Sequence, residues 1–405
     1  MIGTDRFLMN RRGALRAGAV LGLGIATASR AETVMLPFGN GERPLVTYPQ
    51  KRPLIRLTTR PPQLETPFAV YAEGVITPND AFFVRYHLSG NAPPQDLDPE
   101  TFRLAVQGRV QKPLSLSLAE LKAMPATEIV AVNQCSGNSR GFSEPRVAGG
   151  QAAHGLMGNA RWRGVTLKSV LDRAGIAVGA VQVSFNGLDE PPAPDTPDFT
   201  KALDLDHALD GEVMLAWAMN GEDLPMLNGY PLRLVVPGTY GTYWVKHLHE
   251  ITVLDKPSDS FWMTSAYRIP DNDCACVPAG TAAPKTRPIG RYNVRSFITA
   301  PAEAGQLAAG QDLTVKGIAF DGGSGIARVE ISADGGKNWM DARLSEDLGK
   351  YSFRGFEVSL RLPAGAHRLM SRATGKDGST QPMDAQWNPP GYMRNVIETV
   401  SVTVA

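Results

Sequence analysis

The sequence predicts an α+β chain: a mixed α/β domain followed by a β-sandwich of immunoglobulin type. Three observations carry that expectation. Glycine (41) and proline (31) are too frequent among 405 residues for a helix bundle and suit a turn-rich fold of many strands. Only two segments read as helices. After about residue 296 the pattern turns to period-two alternation with a hairpin-type turn. The length, with 43% hydrophobic residues, supports two or three domains that each bury a core. With 41 basic against 40 acidic residues the net charge is +1, which gives no pointer to nucleic acid or to a disordered acidic chain. Three cysteines make no disulfide framework.

Residues 1–31 read as an export signal. Arg11-Arg12 is followed by an apolar stretch over 17–28 and by small residues around Ala26-Thr27-Ala28 and Ala31. The paired arginines favour the twin-arginine route, which carries folded proteins, and so predict a periplasmic mature protein. Beyond that segment no apolar run is long enough to span a bilayer.

Residues 32–66, rich in proline, read as an extended arm over the body or a flexible lead-in. Residues 67–285 form the first domain. Its clearest strand-like runs are 82–84, 102–106, 129–132, 181–185 and 232–236. Helices are expected over 117–123 and over 167–174, the latter stopped by Gly175. Residues 271–292 read as a connection. The second domain, 286–405, holds strand-like runs at 313–320, 328–332, 356–362, 367–373 and 396–404, with Asp334-Gly335-Gly336 as the turn.

Chemistry concentrates at Val132-Asn133-Gln134-Cys135-Ser136-Gly137-Asn138-Ser139-Arg140-Gly141, where a strand-like run ends in a cysteine and a polar loop brings Arg140 close behind. A nearby cation favours thiolate, the form that binds metals; the alternative is a buried structural cysteine. In Phe83-Val84-Arg85-Tyr86-His87, Arg85 and His87 share one face of a strand and suit a small oxyanion. His247-x-His249 lacks a third ligand and reads as structural. Cys274-x-Cys276 lacks a zinc partner pair and is too tight for an easy disulfide. There is no Cys-x-x-Cys-His and no Gly-x-Gly-x-x-Gly, which argues against attached c-type haem and against a Rossmann dinucleotide site.

The 133–142 run, followed by Gly158-Asn159-Ala160-Arg161-Trp162-Arg163-Gly164-Val165, resembles the molybdenum centre of the sulfite oxidase family, with the bacterial sulfite dehydrogenase branch as the nearest match. Further matching motifs are Ala218-Met219-Asn220-Gly221, Gly229-Tyr230-Pro231-Leu232-Arg233, Ser265-Ala266-Tyr267-Arg268-Ile269-Pro270 and Gln386-Trp387-Asn388. The resemblance runs from about Arg56 to Ala405. It implies a molybdopterin-binding domain followed by an immunoglobulin-like, dimerisation-type domain. It implies Cys135 as the thiolate ligand of a molybdenum–molybdopterin cofactor. Arg85, Arg140 and Tyr267 would line the sulfite site, and His87 would touch pocket or pterin. Phe83, Asp189, Arg233 and Trp244-Val245-Lys246 would hold the cofactor, with Asn228 standing where animal members carry histidine.

Animal members also place an anion-binding arginine where this chain has Pro390, and Arg394 is the natural replacement. The implied reaction is oxygen transfer to sulfite, with electrons leaving one at a time to a separate c-type cytochrome and no haem in this chain. The resemblance admits a homodimer or a heterodimer with a cytochrome subunit. A molybdenum subunit of a thiosulfate-oxidising sulfur dehydrogenase is the alternative.

Overall fold

The computed structural model describes residues 32–405 except Asn91, Gln95, Asp96 and Ala309. The signal read in 1–31 lies outside the described residues.

The Pro-rich arm is built into a sheet. Thr33–Met35, Glu42–Val46, Leu54–Thr58 and Gln63–Glu65 run antiparallel, and the last pairs with Val84–Arg85. The strand that carries Arg85 is thus the inner edge of the arm's own sheet.

Two further sheets form the body. One orders Thr200–Asp204, Gln182–Gly187, Leu248–Leu254, Arg103–Gly108 and Leu114–Ser117, with a single parallel pairing between Leu248–Leu254 and Arg103–Gly108. The other orders Glu222–Asp223, Met214–Met219, Met157–Thr166 and Thr127–Gln134, with Arg233–Val235 added beside Met214–Met219. The last five residues of Thr127–Gln134 are all buried, because that end runs into the main core, and Cys135 follows directly.

The helices are few and short. Leu118–Lys122 starts on a reciprocal cap in which the Ser117 hydroxyl accepts from the Glu120 amide and the Glu120 carboxylate accepts from the Ser117 amide. Leu167–Ala174 buries Leu167, Val170, Leu171 and Ala174 and stops at Gly175, whose φ of 69° suits glycine. No helix of the described residues is long and apolar enough to cross a membrane.

In the second unit two sheets face one another. One runs Arg295–Ala300, Asp312–Phe320, Arg354–Arg361, Arg343–Leu344; the other runs Gly305–Leu307, Thr399–Val404, Gly365–Gly375, Ile326–Ser332, Met340–Asp341. Val315 and Phe356 from the first meet Val329, Leu369 and Val402 from the second in one core. Gly335 and Gly336 both take positive φ at the turn after Ser332. Thr286–Pro288 pairs back onto Arg268–Pro270. Phe297, Phe320 and Phe353 pack into the core of the first unit, so the two units share an apolar interface.

One expectation is corrected. Cys274 and Cys276 are joined by a disulfide. Ala275 between them takes a φ of 49°, which folds the chain back until the two Cα atoms stand 5.1 Å apart, within bridging range.

Candidate active site

A cleft opens where the Arg85 strand, the Cys135 loop and the segment after Arg233–Val235 converge. Phe83, Arg85, His87, Cys135, Asp189, Asn228, Arg233, Trp244, Lys246 and Tyr267 all line it. These residues come from seven separate stretches of sequence, so only the fold assembles them.

Cys135 is the free cysteine and is half-buried. Its amide donates to Leu156 O at 2.9 Å and its carbonyl accepts from Asn138 N at 3.0 Å, so the backbone around the thiol is held at both ends. Asn138 in turn donates to Gln134 Oε1 and accepts from Leu156 N. Glu65, from the arm sheet, accepts from the Ala153 and Gly155 amides and fixes the loop on which the Cys135 amide rests.

On one side of the cleft stand Arg85, His87 and Tyr267. His87 Nε2 lies 2.5 Å from the Tyr267 hydroxyl, and its ring stacks on Phe199 at 3.6 Å. Arg85 donates to the same hydroxyl at 3.5 Å. Burial, reinforced by Arg85, Lys246 and Lys201, pushes the His87 imidazolium well below its ordinary range, so the ring is neutral. Burial also raises the Tyr267 phenol, which stays protonated.

A second group of lining residues adds further cations. Arg233 is fully buried, donates to Asn228 O at 2.8 Å and lies against the Trp162 and Trp244 rings. Lys246 Nζ sits 2.9 Å from the Tyr86 ring centre. Desolvation lowers Lys246 and raises Asp189, each opposed by the charge of the other.

Arg140 does not line the cleft directly. Its Nε donates to Pro390 O at 3.0 Å, and its guanidinium lies 5.0 Å from the Tyr392 ring centre. Tyr392 stacks on Tyr267 at 5.5 Å, so the ring that Arg140 contacts packs in turn on a residue of the pocket wall. Gly137 and Gly149 flank the guanidinium, and a Cβ at either would strike it. Val245 acts through its backbone, accepting from Leu234 N at 2.8 Å. Arg394 is not among the lining residues. Its guanidinium pairs with Glu398 at 3.0 Å and packs over Phe142, because the partly buried carboxylate four residues on takes its charge. The expectation that Arg394 supplies the cation missing at Pro390 therefore does not match its position.

His247 and His249 form no metal pair. His247 is fully buried between Tyr86 OH and Tyr230 O, and no cluster of metal-ligating side chains occurs among the described residues. Sequence reasoning missed Phe82, Phe199, Leu227 and Thr242 as lining residues, along with Lys201, whose buried ammonium lies 5.4 Å from the Tyr267 ring centre. Asn133 and Ser136 also line the cleft, and their place beside Cys135 was the one signal available for them.

The residues fit a pterin-bearing metal cofactor. Buried polar atoms are almost always hydrogen-bonded. Here Asn133 Oδ1, Ser136 Oγ, Arg233 Nε and Thr242 Oγ1, all from lining residues, are buried without a partner. Together they offer the mixed donors and acceptors a pterin ring requires, beside cations for a phosphate and a thiol for a metal.

Comparison with known proteins agrees. Residues 90–262 match the oxidoreductase molybdopterin binding domain, and residues 286–405 match the Mo-co oxidoreductase dimerisation domain. The mitochondrial sulfite oxidase of Mus musculus is 33% identical over 392 residues, covering 92% of this chain and 70% of that one. The sulfite oxidase of Gallus gallus is 34% identical over 372 residues, covering 87% and 79%. The crystal structure of the sulfane dehydrogenase SoxCD from Paracoccus pantotrophus superposes with a TM-score of 0.70 at 28% identity, covering 91% of this chain and 87% of that one. Fold and site thus define a molybdopterin-dependent oxidoreductase. The chain belongs to the sulfite oxidase family.

Proposed function

We propose that this chain oxidises sulfite to sulfate at a molybdenum–molybdopterin centre held through Cys135 and passes the electrons singly to a separate c-type cytochrome. The observation that carries this reading is the free thiol of Cys135 in a cleft that also holds four unpartnered buried polar atoms and a cationic wall. When bound, the cofactor supplies the oxygen atom and takes up the two electrons.

The protein's part is binding, orientation and proton placement. Sulfite is a small anion, and Arg85 in the cleft, with Arg140 against the Tyr392 ring that packs on Tyr267, makes the cleft attractive to negative charge. Tyr267 accepts from Arg85 and shares a hydrogen bond with His87 Nε2, to which its own proton can be given. Neutral His87 can accept that hydrogen bond, which fixes the phenol without adding a charge. Lys246, Arg233 and Asn228 hold the cofactor's polar end, with Phe82 and Phe83 forming an apolar wall.

The twin-arginine pattern in 1–31 supports a periplasmic site of action, and the paired sheets of 295–404 support an immunoglobulin-like second domain. The match of 286–405 to a dimerisation domain supports assembly with a second copy. The likeness to SoxCD favours a second reading, in which the substrate is protein-bound sulfur. Free sulfite as sole donor with cytochrome c as acceptor separates the two. Turnover supports the first reading; activity only with sulfur carried on a protein overturns it.

A further inference from the structure

Lys51, in the arm, is 5% exposed, and the three donors of its ammonium are all spent inside the protein. They reach Asn79 O at 2.6 Å, Phe82 O at 3.0 Å and Asn228 Oδ1 at 2.5 Å. Among the described residues no carboxylate hydrogen-bonds it; Asp80, the acid that acts on it, is paired with Arg52 at 2.9 Å. A buried cation so placed costs stability unless an anion completes it. Lys51, Lys246 and Arg233 act electrostatically on one another; Arg233 and Lys246 line the cleft, Lys51 reaches it through Asn228, and among the described residues Asp189 is its one lining carboxylate.

The bonds to Asn228 have a second consequence. With Oδ1 held by Lys51, the Asn228 amide nitrogen donates to Phe83 O at 3.0 Å, and its second N–H is left for a ligand in the cleft. The same ammonium ties Phe82 O, next to the wall residue Phe83 and two residues before the Arg85 strand.

We propose that Lys51 is a positioning residue for the cofactor: it sets the Asn228 carboxamide and adds arm-borne positive charge to the end of the cleft that takes the cofactor's phosphate. Docking of the arm and retention of the cofactor are then one event. This inference rests on the functional reading above. Burial lowers the Lys51 ammonium to about 7, and an incoming phosphate would restore its charge.

The test measures cofactor content. Wild type and Lys51→Met are purified side by side, and molybdenum and extracted pterin are counted per chain. Both proteins are also made in cells that cannot synthesise the cofactor, and their melting temperatures are compared. The expected result is a fall in loading of at least about fivefold, with cofactor-free melting temperatures that agree or favour the variant. Equal loading overturns the inference. So does a cofactor-free variant destabilised as much as the loaded one, since Lys51 would then serve the fold alone. A measurement on the unsubstituted chain covers the case in which the variant fails to accumulate. Proteinase K should cut within residues 47–60 at least about fivefold more slowly in the loaded protein than in the cofactor-free one, and equal rates overturn the coupling. Wild type without pterin or metal would end the functional reading itself, whereas loaded wild type inert toward sulfite would end that reading and leave Lys51 in place.

Discussion

The Arg295 guanidinium, on the first strand of the second unit, lies 3.1 Å from the hydroxyl of Ser139 in the Cys135 loop. It also donates to Gln134 Oε1 at 3.3 Å and pairs with Glu398 at 3.5 Å. Arg295 therefore grips the chain on both sides of Cys135 from a different unit of the fold. Breaking a buried charged network of this kind costs about 3 kcal/mol or more. Arg295→Met should lower the denaturant midpoint accordingly and depress turnover. A variant within about 0.5 kcal/mol of wild type, the range of ordinary surface changes, would show that the grip is unimportant.

Arg394 makes the opposite case. Its charge is spent on Glu398 and its plane on Phe142. Arg394→Met should leave KM for sulfite within about twofold of wild type while lowering stability, because uniform substrate binding is untouched. A KM raised tenfold or so would return Arg394 to the anion site.

Arg85 stands in the cleft beside Tyr267. Arg85→Met should cut kcat/KM by about 2–4 kcal/mol, roughly thirty- to a thousandfold, and Arg85→Lys should recover only part of it because ammonium lacks the planar fork. Steady-state kinetics with sulfite and cytochrome c give the answer. Full activity in Arg85→Met would remove it from the substrate site.

Much of this was legible from sequence, for reasons that can be named. The buried run ending at Gln134 and the polar loop after it marked Cys135 directly. The helices expected over 117–123 and over 167–174 before Gly175 stand where they were read. The arm sheet was hidden because its strands are short and broken by prolines, so their period is never sampled for long. Lys51, Lys201 and Tyr392 carry no local signal. Their meaning arises when distant backbone closes around them, as when Lys51 meets Asn228 across 177 residues. Arg394 misled because a position near Pro390 in sequence says nothing about which carboxylate its side chain finds.

His154 yields a prediction in pH. It is buried against Phe142 and bonded to Ser139 Oγ, and burial lowers its imidazole to about 4. The folded state then binds fewer protons than the unfolded state between about 4 and 6.5. The contribution is fully present above 6.5 and is lost as pH falls toward 4, on the order of 3 kcal/mol. Glu65, raised to about 7 by burial, works in the reverse sense over part of that window. The readout is therefore the difference between wild type and His154→Gln in denaturant titrations. A difference that stays flat from pH 7 to 4 would contradict the assignment.

Whether Cys135 binds the metal that drives sulfite oxidation is decided by measuring molybdenum per chain and sulfite-dependent cytochrome c reduction together, in wild type and in Cys135→Ser. Close to one metal per wild-type chain with turnover is expected, and a folded Cys135→Ser protein without turnover. Metal-free wild type that still oxidises sulfite, or Cys135→Ser with undiminished turnover, would contradict it.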